Sequence, residues 1–299
     1  MRKLPLSITF SLLTTLAALG SEGSLGGKAR LVNILQYGKA GSSGLGRQFT
    51  QLQGSHWFSQ TMGWVVGITL IVFVLHYLFI GPKRFEHGGA RVHVFSLFMR
   101  IVHWLAALAF VLLIPTGIMI LYGSYFGGGS PVLYARYIHD GATVLFLIAV
   151  IPMFLFWFVD MLPTLDDIKW LFIAGGYLSK TKREIPAGKF NAGQKMWFWI
   201  ATLGGILMIL TGAAMYYQEF DFGIAAALGL SQIDLLRLSA IVHNLAAFVV
   251  VALFVTHLYM SLLAIKGSLS SMIDGYKEED EVKHLHSSWY KKLKRKGKI

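Results

Sequence analysis

Five long apolar runs divide the chain, and glycine-rich, polar or strongly basic stretches separate them. They cover about Met62–Ile80, Ile101–Leu121, Ile138–Leu162, Met196–Tyr216 and Leu235–Ile265. Each is long enough to cross the hydrocarbon layer of a bilayer as a helix, so the pattern predicts five spanning helices. Before the first run, residues 1–20 read as a secretory signal: Arg2 and Lys3, a short apolar stretch, then the small-residue end AALGS. Residues 21–61 are rich in Gly, Ser and Gln without a period, which predicts a loosely structured exported segment. After the last run comes a highly charged tail, 267–299, ending KKLKRKGKI.

Composition adds three limits. The chain is 55% hydrophobic with mean hydropathy +0.58, too apolar for a water-soluble domain of this length. It has no cysteine, which excludes thiolate-held Fe–S clusters, covalently attached haem and disulfides within the chain. The formal charge of +12 would suit nucleic acid, but its placement points to a membrane. Segments 82–100, 163–195 and 266–299 hold 19 Lys and Arg, against Arg136 and Arg237 in the two opposite loops. That asymmetry predicts an exported N-terminus and three cytoplasmic basic segments, with no nucleic-acid partner.

Candidate chemistry lies in the histidines. His243 and His257 share the fifth run, 14 residues apart, hence ~21 Å apart along a helix and within ~40° of one face. A histidine inside a bilayer is costly unless partnered, and a pair of imidazoles can cap an iron from both sides. His103 lies on the cytoplasmic side of the second run and His139 on the exported side of the third. Depth therefore pairs His139 with His243, and His103 with His257. Four ordinary packing histidines are the alternative. His76 reads as interfacial, and His56, His87, His93, His284 and His286 as surface or loop residues. Gly117, Gly204, Gly205 and Gly212 are small residues where a flat porphyrin would pass between helices. Arg100 and Arg136 each precede a candidate ligand by three residues, either to meet propionates or as topology signals. Asn244 is either a support for its neighbouring histidine or a helix–helix hydrogen bond. IPTGIMI and ILTGAAM echo one another in the second and fourth runs.

The stretches RIVHW, KFNAGQKMWFW followed by LTG, IVHN and THLYMSLLA resemble the cytochrome b (gamma) subunit of membrane-bound formate dehydrogenases. The resemblance covers about 95–270 and is strongest at FNAGQK. It implies an all-α membrane protein with a four-helix di-haem bundle over 95–266; the extra helix over 62–81, the signal-like start and the exported segment depart from the commoner family pattern. It implies two b haems, His103 with His257 on the cytoplasmic side and His139 with His243 on the exported side, which is also the pairing by depth. It places Asn191, Gly193 and Gln194 on a menaquinone-binding loop. Without it, NAGQK reads as a helix start with Asn191 as cap. The implied partners are an Fe–S electron-transfer subunit, a molybdenum or tungsten formate-oxidising subunit, membrane lipid and quinone, in the bacterial inner membrane. The nearest rival is the cytochrome b subunit of a membrane hydrogenase or thiosulfate reductase. A cofactor-free anchor or transporter is the rival of another class, although these runs show neither broken helices nor mid-membrane charges.

Overall fold

A computed structural model of the chain describes residues 44–86, 88–218 and 223–299. The expected signal at 1–20, residues 21–43 of the exported segment and His87 lie outside the described residues. Five helices are long and apolar enough to cross a membrane: α2 (Trp57–Phe79), α3 (Leu97–Leu121), α4 (Gly129–Trp157), α6 (Ala192–Tyr216) and α7 (Gln232–Ala264). Together they make an all-α, multi-pass membrane protein. Short helix α1 (Gly44–Gly54) precedes them, and α5 (Leu165–Phe172) lies between α4 and α6.

The helices start earlier than the apolar runs, because capping side chains and polar first turns extend them. Ser96 caps α3 by accepting from the Met99 amide. At α5, Thr164 and Asp167 form a reciprocal capping box. The described part of the 21–61 segment is not loose: it holds α1 and the first turn of α2. Two helices relax into wider π turns, at Ile200–Gly204 in α6 and Tyr259–Ala264 in α7.

The chain divides into two compact units, Phe58–Ile206 with Ala247–Ile299, and Leu207–Ala246 with the chain before Phe58. In the larger, α3 and α4 pack on each other and on the start of α6. Their core joins Val102, Ala106, Ala149, Met153, Trp157 and Phe198. In the smaller, Arg237 is buried against Asp234 at 3.1 Å near the start of α7.

The tail corrects the sequence reading most. Residues 267–299 carry more structure than a highly charged run suggests, folding onto the loops that follow α2 and α5 in the larger unit. Strand β1 (Arg91–His93) pairs antiparallel with β2 (Tyr276–Glu278), a small ribbon in an otherwise helical chain. Helices α8 (Glu279–Leu285) and α9 (Ser287–Arg295) follow. Amide bonds tie this segment to residues 185–187: Ile185 N to His284 O, Ser287 N to Ile185 O and Trp289 N to Ala187 O. Lys277 and Glu281 form a buried ion pair within the segment, and Asp274 pairs with Arg91, Asp280 with Lys182 and Lys291 with Glu184 outside it. His286, read from sequence as a surface residue, is 2% exposed. Its ring donates from Nδ1 to Gly188 O at 2.8 Å, and burial, aided by the Lys277 charge, pushes its pKa down to about 3.

Candidate functional site

Two of the four candidate histidines meet. His103 on α3 and His257 on α7 face each other with ring centroids 6.3 Å apart. A metal bonded at about 2 Å to one nitrogen of each ring would hold the centroids about 6 Å apart, so the pair fits bis-imidazole ligation. His103 Nδ1 is buried and meets no hydrogen-bond partner among the described residues. No group of three or more His, Asp or Glu side chains gathers among the described residues. A bare ion would therefore find too few protein ligands at a histidine pair, whereas a porphyrin brings its own. Trp197 on α6 stacks on His257 at 5.5 Å and 20°. Further in, Phe110 stacks on Phe254 at 5.6 Å and meets Phe146 edge-on.

His139 and His243 belong to different units, and each is held in the same way within its own. His139 Nδ1 lies 3.0 Å from Thr116 Oγ1 on α3. His243 Nδ1 lies 3.0 Å from Thr211 Oγ1 on α6. Beside each threonine a glycine clears the ring. A Cβ on Gly117 would stand 3.4 Å from His139 Cε1, and one on Gly212 3.6 Å from His243 Cε1. These Thr-Gly pairs are the shared core of IPTGIMI and ILTGAAM. Sequence reasoning found the echo and both glycines but missed the threonines, as it missed Trp197. His139 also lies well inside α4 rather than at its start.

Asn191, Gly193 and Gln194 come together at the start of α6. Asn191 Oδ1 accepts from Gln194 N at 3.0 Å, and Gln194 Oε1 accepts from Asn191 N at 2.9 Å, a reciprocal capping box. Trp170 covers Gly193, where a Cβ would come within 3.0 Å of Cη2. Lys195 is buried and paired with Asp167 at 2.7 Å.

Other candidates take plainer roles. Both His76 nitrogens are engaged, Nδ1 by the Tyr259 hydroxyl at 2.5 Å and Nε2 by Tyr177 O at 3.0 Å. His76 thus fastens α2 to α7 and to the loop after α5. Gly205 admits the Phe146 ring, 2.5 Å from where its Cβ would be. Asn244 bonds back to Ala240 O in its own helix. Arg100 donates to Ile273 O, and Arg136 is exposed.

Residues 94–275 match the family described as prokaryotic cytochrome b561. The chain belongs to that family. Membership in the cytochrome b561 family implies haem b, which the opposed His103 and His257 rings suit. Among similar proteins, the cytochrome b556 subunit of formate dehydrogenase of Haemophilus influenzae is 28% identical over 200 residues, 64% of this chain and 79% of that protein. The cytochrome b556(fdo) subunit of formate dehydrogenase of Escherichia coli K12 is 28% identical over 207 residues, 66% of this chain and 90% of that protein. The nitrate-inducible cytochrome b556(Fdn) subunit of the same strain is 25% identical over 201 residues, 66% of this chain and 88% of that protein.

Proposed function

We propose that the chain is the membrane-anchoring cytochrome b subunit of a formate dehydrogenase complex in the bacterial inner membrane. It passes electrons from an exported Fe–S subunit, fed by a molybdenum or tungsten formate-oxidising subunit, to menaquinone on the cytoplasmic side. The observation that carries this reading is the His103–His257 pair, with its 6.3 Å centroid separation. We assign one haem b to these two residues and a second to His139 and His243, the latter pairing resting on the order of the spans. Each haem, when bound, supplies reversible one-electron chemistry at its iron.

The chain's own residues supply the rest. Phe110, Phe146, Phe254 and Trp197 keep water from the interior beside His257. At the start of α6, Gln194 N is taken by Asn191 Oδ1 and Lys195 N by Asn191 O. Of the first-turn amides this leaves those of Ala192 and Gly193, together with the Asn191 and Gln194 carboxamide N–H groups, as donors for a quinone carbonyl. Trp170 over Gly193 offers a ring to stack on. Trp197, one turn later, connects this helix start to His257.

The test is the complex purified from membranes through a tag on this chain. Formate should reduce its b-type bands, and a menaquinone analogue should reoxidise them. Bands that hydrogen reduces and formate does not would move the chain to a hydrogenase. Absence of b-type bands would reduce it to an anchor.

A further inference from the structure

Thr116 and Thr211 each carry one hydroxyl proton, and the geometry settles where it goes. Thr116 Oγ1 lies 2.6 Å from Leu112 O and 3.1 Å from Leu113 O. Thr211 Oγ1 lies 2.8 Å from Leu207 O and 3.2 Å from Met208 O. A threonine inside a helix donates to the carbonyl one turn back, so its oxygen is left to accept. The group that remains is the histidine Nδ1, at 3.0 Å in both cases. Nδ1 must then be the donor. For His139 a second contact agrees: the ring also bonds the Leu113 carbonyl, and a carbonyl only accepts.

A neutral imidazole has one N–H. With the proton on Nδ1, Nε2 keeps its lone pair in both residues and is the metal-binding atom. An acceptor on the opposite N–H also makes a ligating imidazole more basic, which favours the oxidised metal. His103 differs, because its Nδ1 meets no partner among the described residues.

We propose that Thr116 and Thr211 are positioning residues that fix the Nδ1–H tautomer of His139 and His243 and lower the midpoint potential of the haem these histidines hold. The cytoplasmic-side haem, with His103 lacking such an acceptor, then lies at higher potential, so electrons move inward downhill. This rests on the two-haem reading above. It goes beyond it by assigning two threonines that touch no substrate and by ordering the two potentials.

The experiment uses the full chain in its membrane complex, with Thr116→Val, Thr211→Val and the corresponding Ser variants. Valine keeps the shape and removes the acceptor, while serine restores it. Two readouts are taken, haem content by pyridine haemochrome and midpoint potentials by redox titration. Each Val variant should raise the potential of the lower-potential haem by at least a threefold change in its reduction equilibrium, about 30 mV at 59 mV per tenfold. The other haem should stay put, and serine should return the potential. Loss of one haem in the Val variant with retention in the Ser variant also supports the proposal. Potentials unmoved by valine, or serine behaving as valine does, would overturn it while two haems remain and the two-haem reading stands. Fewer than two haems in the unmodified chain would instead overturn that reading, and the proposal with it.

Discussion

At the scale of single residues, the bilayer makes every polar side chain account for its partners. The histidines were legible because imidazole stands out in an apolar run and its spacing fixes face and depth. Their threonine partners were not, since a Thr beside a Gly in such a run reads as a small packing residue. The Gly117 contact gives the first expectation. Gly117→Val adds bulk where even a Cβ stands 3.4 Å from His139 Cε1, so it should displace the ring and lower haem content. Gly67→Val, where nothing lies within 4 Å, should leave haem content unchanged, and equal loss in both would sever Gly117 from the site. The buried pair gives the second. Asp167→Ala leaves the Lys195 ammonium buried beside Leu162 O, and losing one member of a buried pair costs about 3–5 kcal/mol. Thermal loss of helicity in detergent should therefore come at lower temperature for Asp167→Ala than for Asp166→Ala, whose Lys169 partner is exposed at 4.0 Å.

At the scale of elements, helix number and type were legible in hydrophobic run length, and starts were not, because caps are polar. The first turn of α6 shows how one motif carries two readings. Asn191 is a cap in the structure and part of the quinone loop in our proposal, and the two roles separate by atom. Asn191→Asp keeps the oxygen that accepts from Gln194 N and loses the amide donor. It should keep both the fold and the haems and slow reoxidation by a menaquinone analogue at least tenfold, about 1.4 kcal/mol of barrier. Asn191→Ala should in addition lose about 1 kcal/mol of stability. An Asp variant reoxidised at the unmodified rate would leave Asn191 as a cap alone. The fold of the tail escaped sequence reading because its partners are distant in sequence, Asp274 with Arg91, Asp280 with Lys182 and Lys291 with Glu184, which composition does not reveal. His286 makes its docking pH-dependent. Its neutral form is held in the fold, with the pKa near 3 against an ordinary 6.5. Stability is full above pH 6.5 and falls as pH drops toward 3, because the unfolded segment takes up the proton first. Hydrogen-exchange protection over residues 276–290, taken relative to the intrinsic rate at each pH, should fall between pH 7 and 5, and His286→Gln, which can still donate to Gly188 O, should weaken that dependence.

At the scale of the whole molecule, the charge pattern predicts an orientation. Lys and Arg crowd the segments that in the larger unit knit into one polar cap: the β1–β2 ribbon, the 185–187 ties and the α5–α6 pair. Reporter fusions after Gly89, Ser179 and Lys277 should therefore behave as cytoplasmic, and a fusion after Gly128 as exported. Reversal at two of these sites would reverse the proposed direction of electron flow. The central claim is that one chain holds two bis-histidine haems. The most direct measurement is pyridine haemochrome on the purified chain and on His103→Ala, His257→Ala, His139→Ala and His243→Ala. The expected result is two b haems in the unmodified chain and one in each variant. His103→Ala and His257→Ala should lose one spectral component, and His139→Ala and His243→Ala the other. Two haems retained in both His139→Ala and His243→Ala, or a single haem in the unmodified chain, would contradict it.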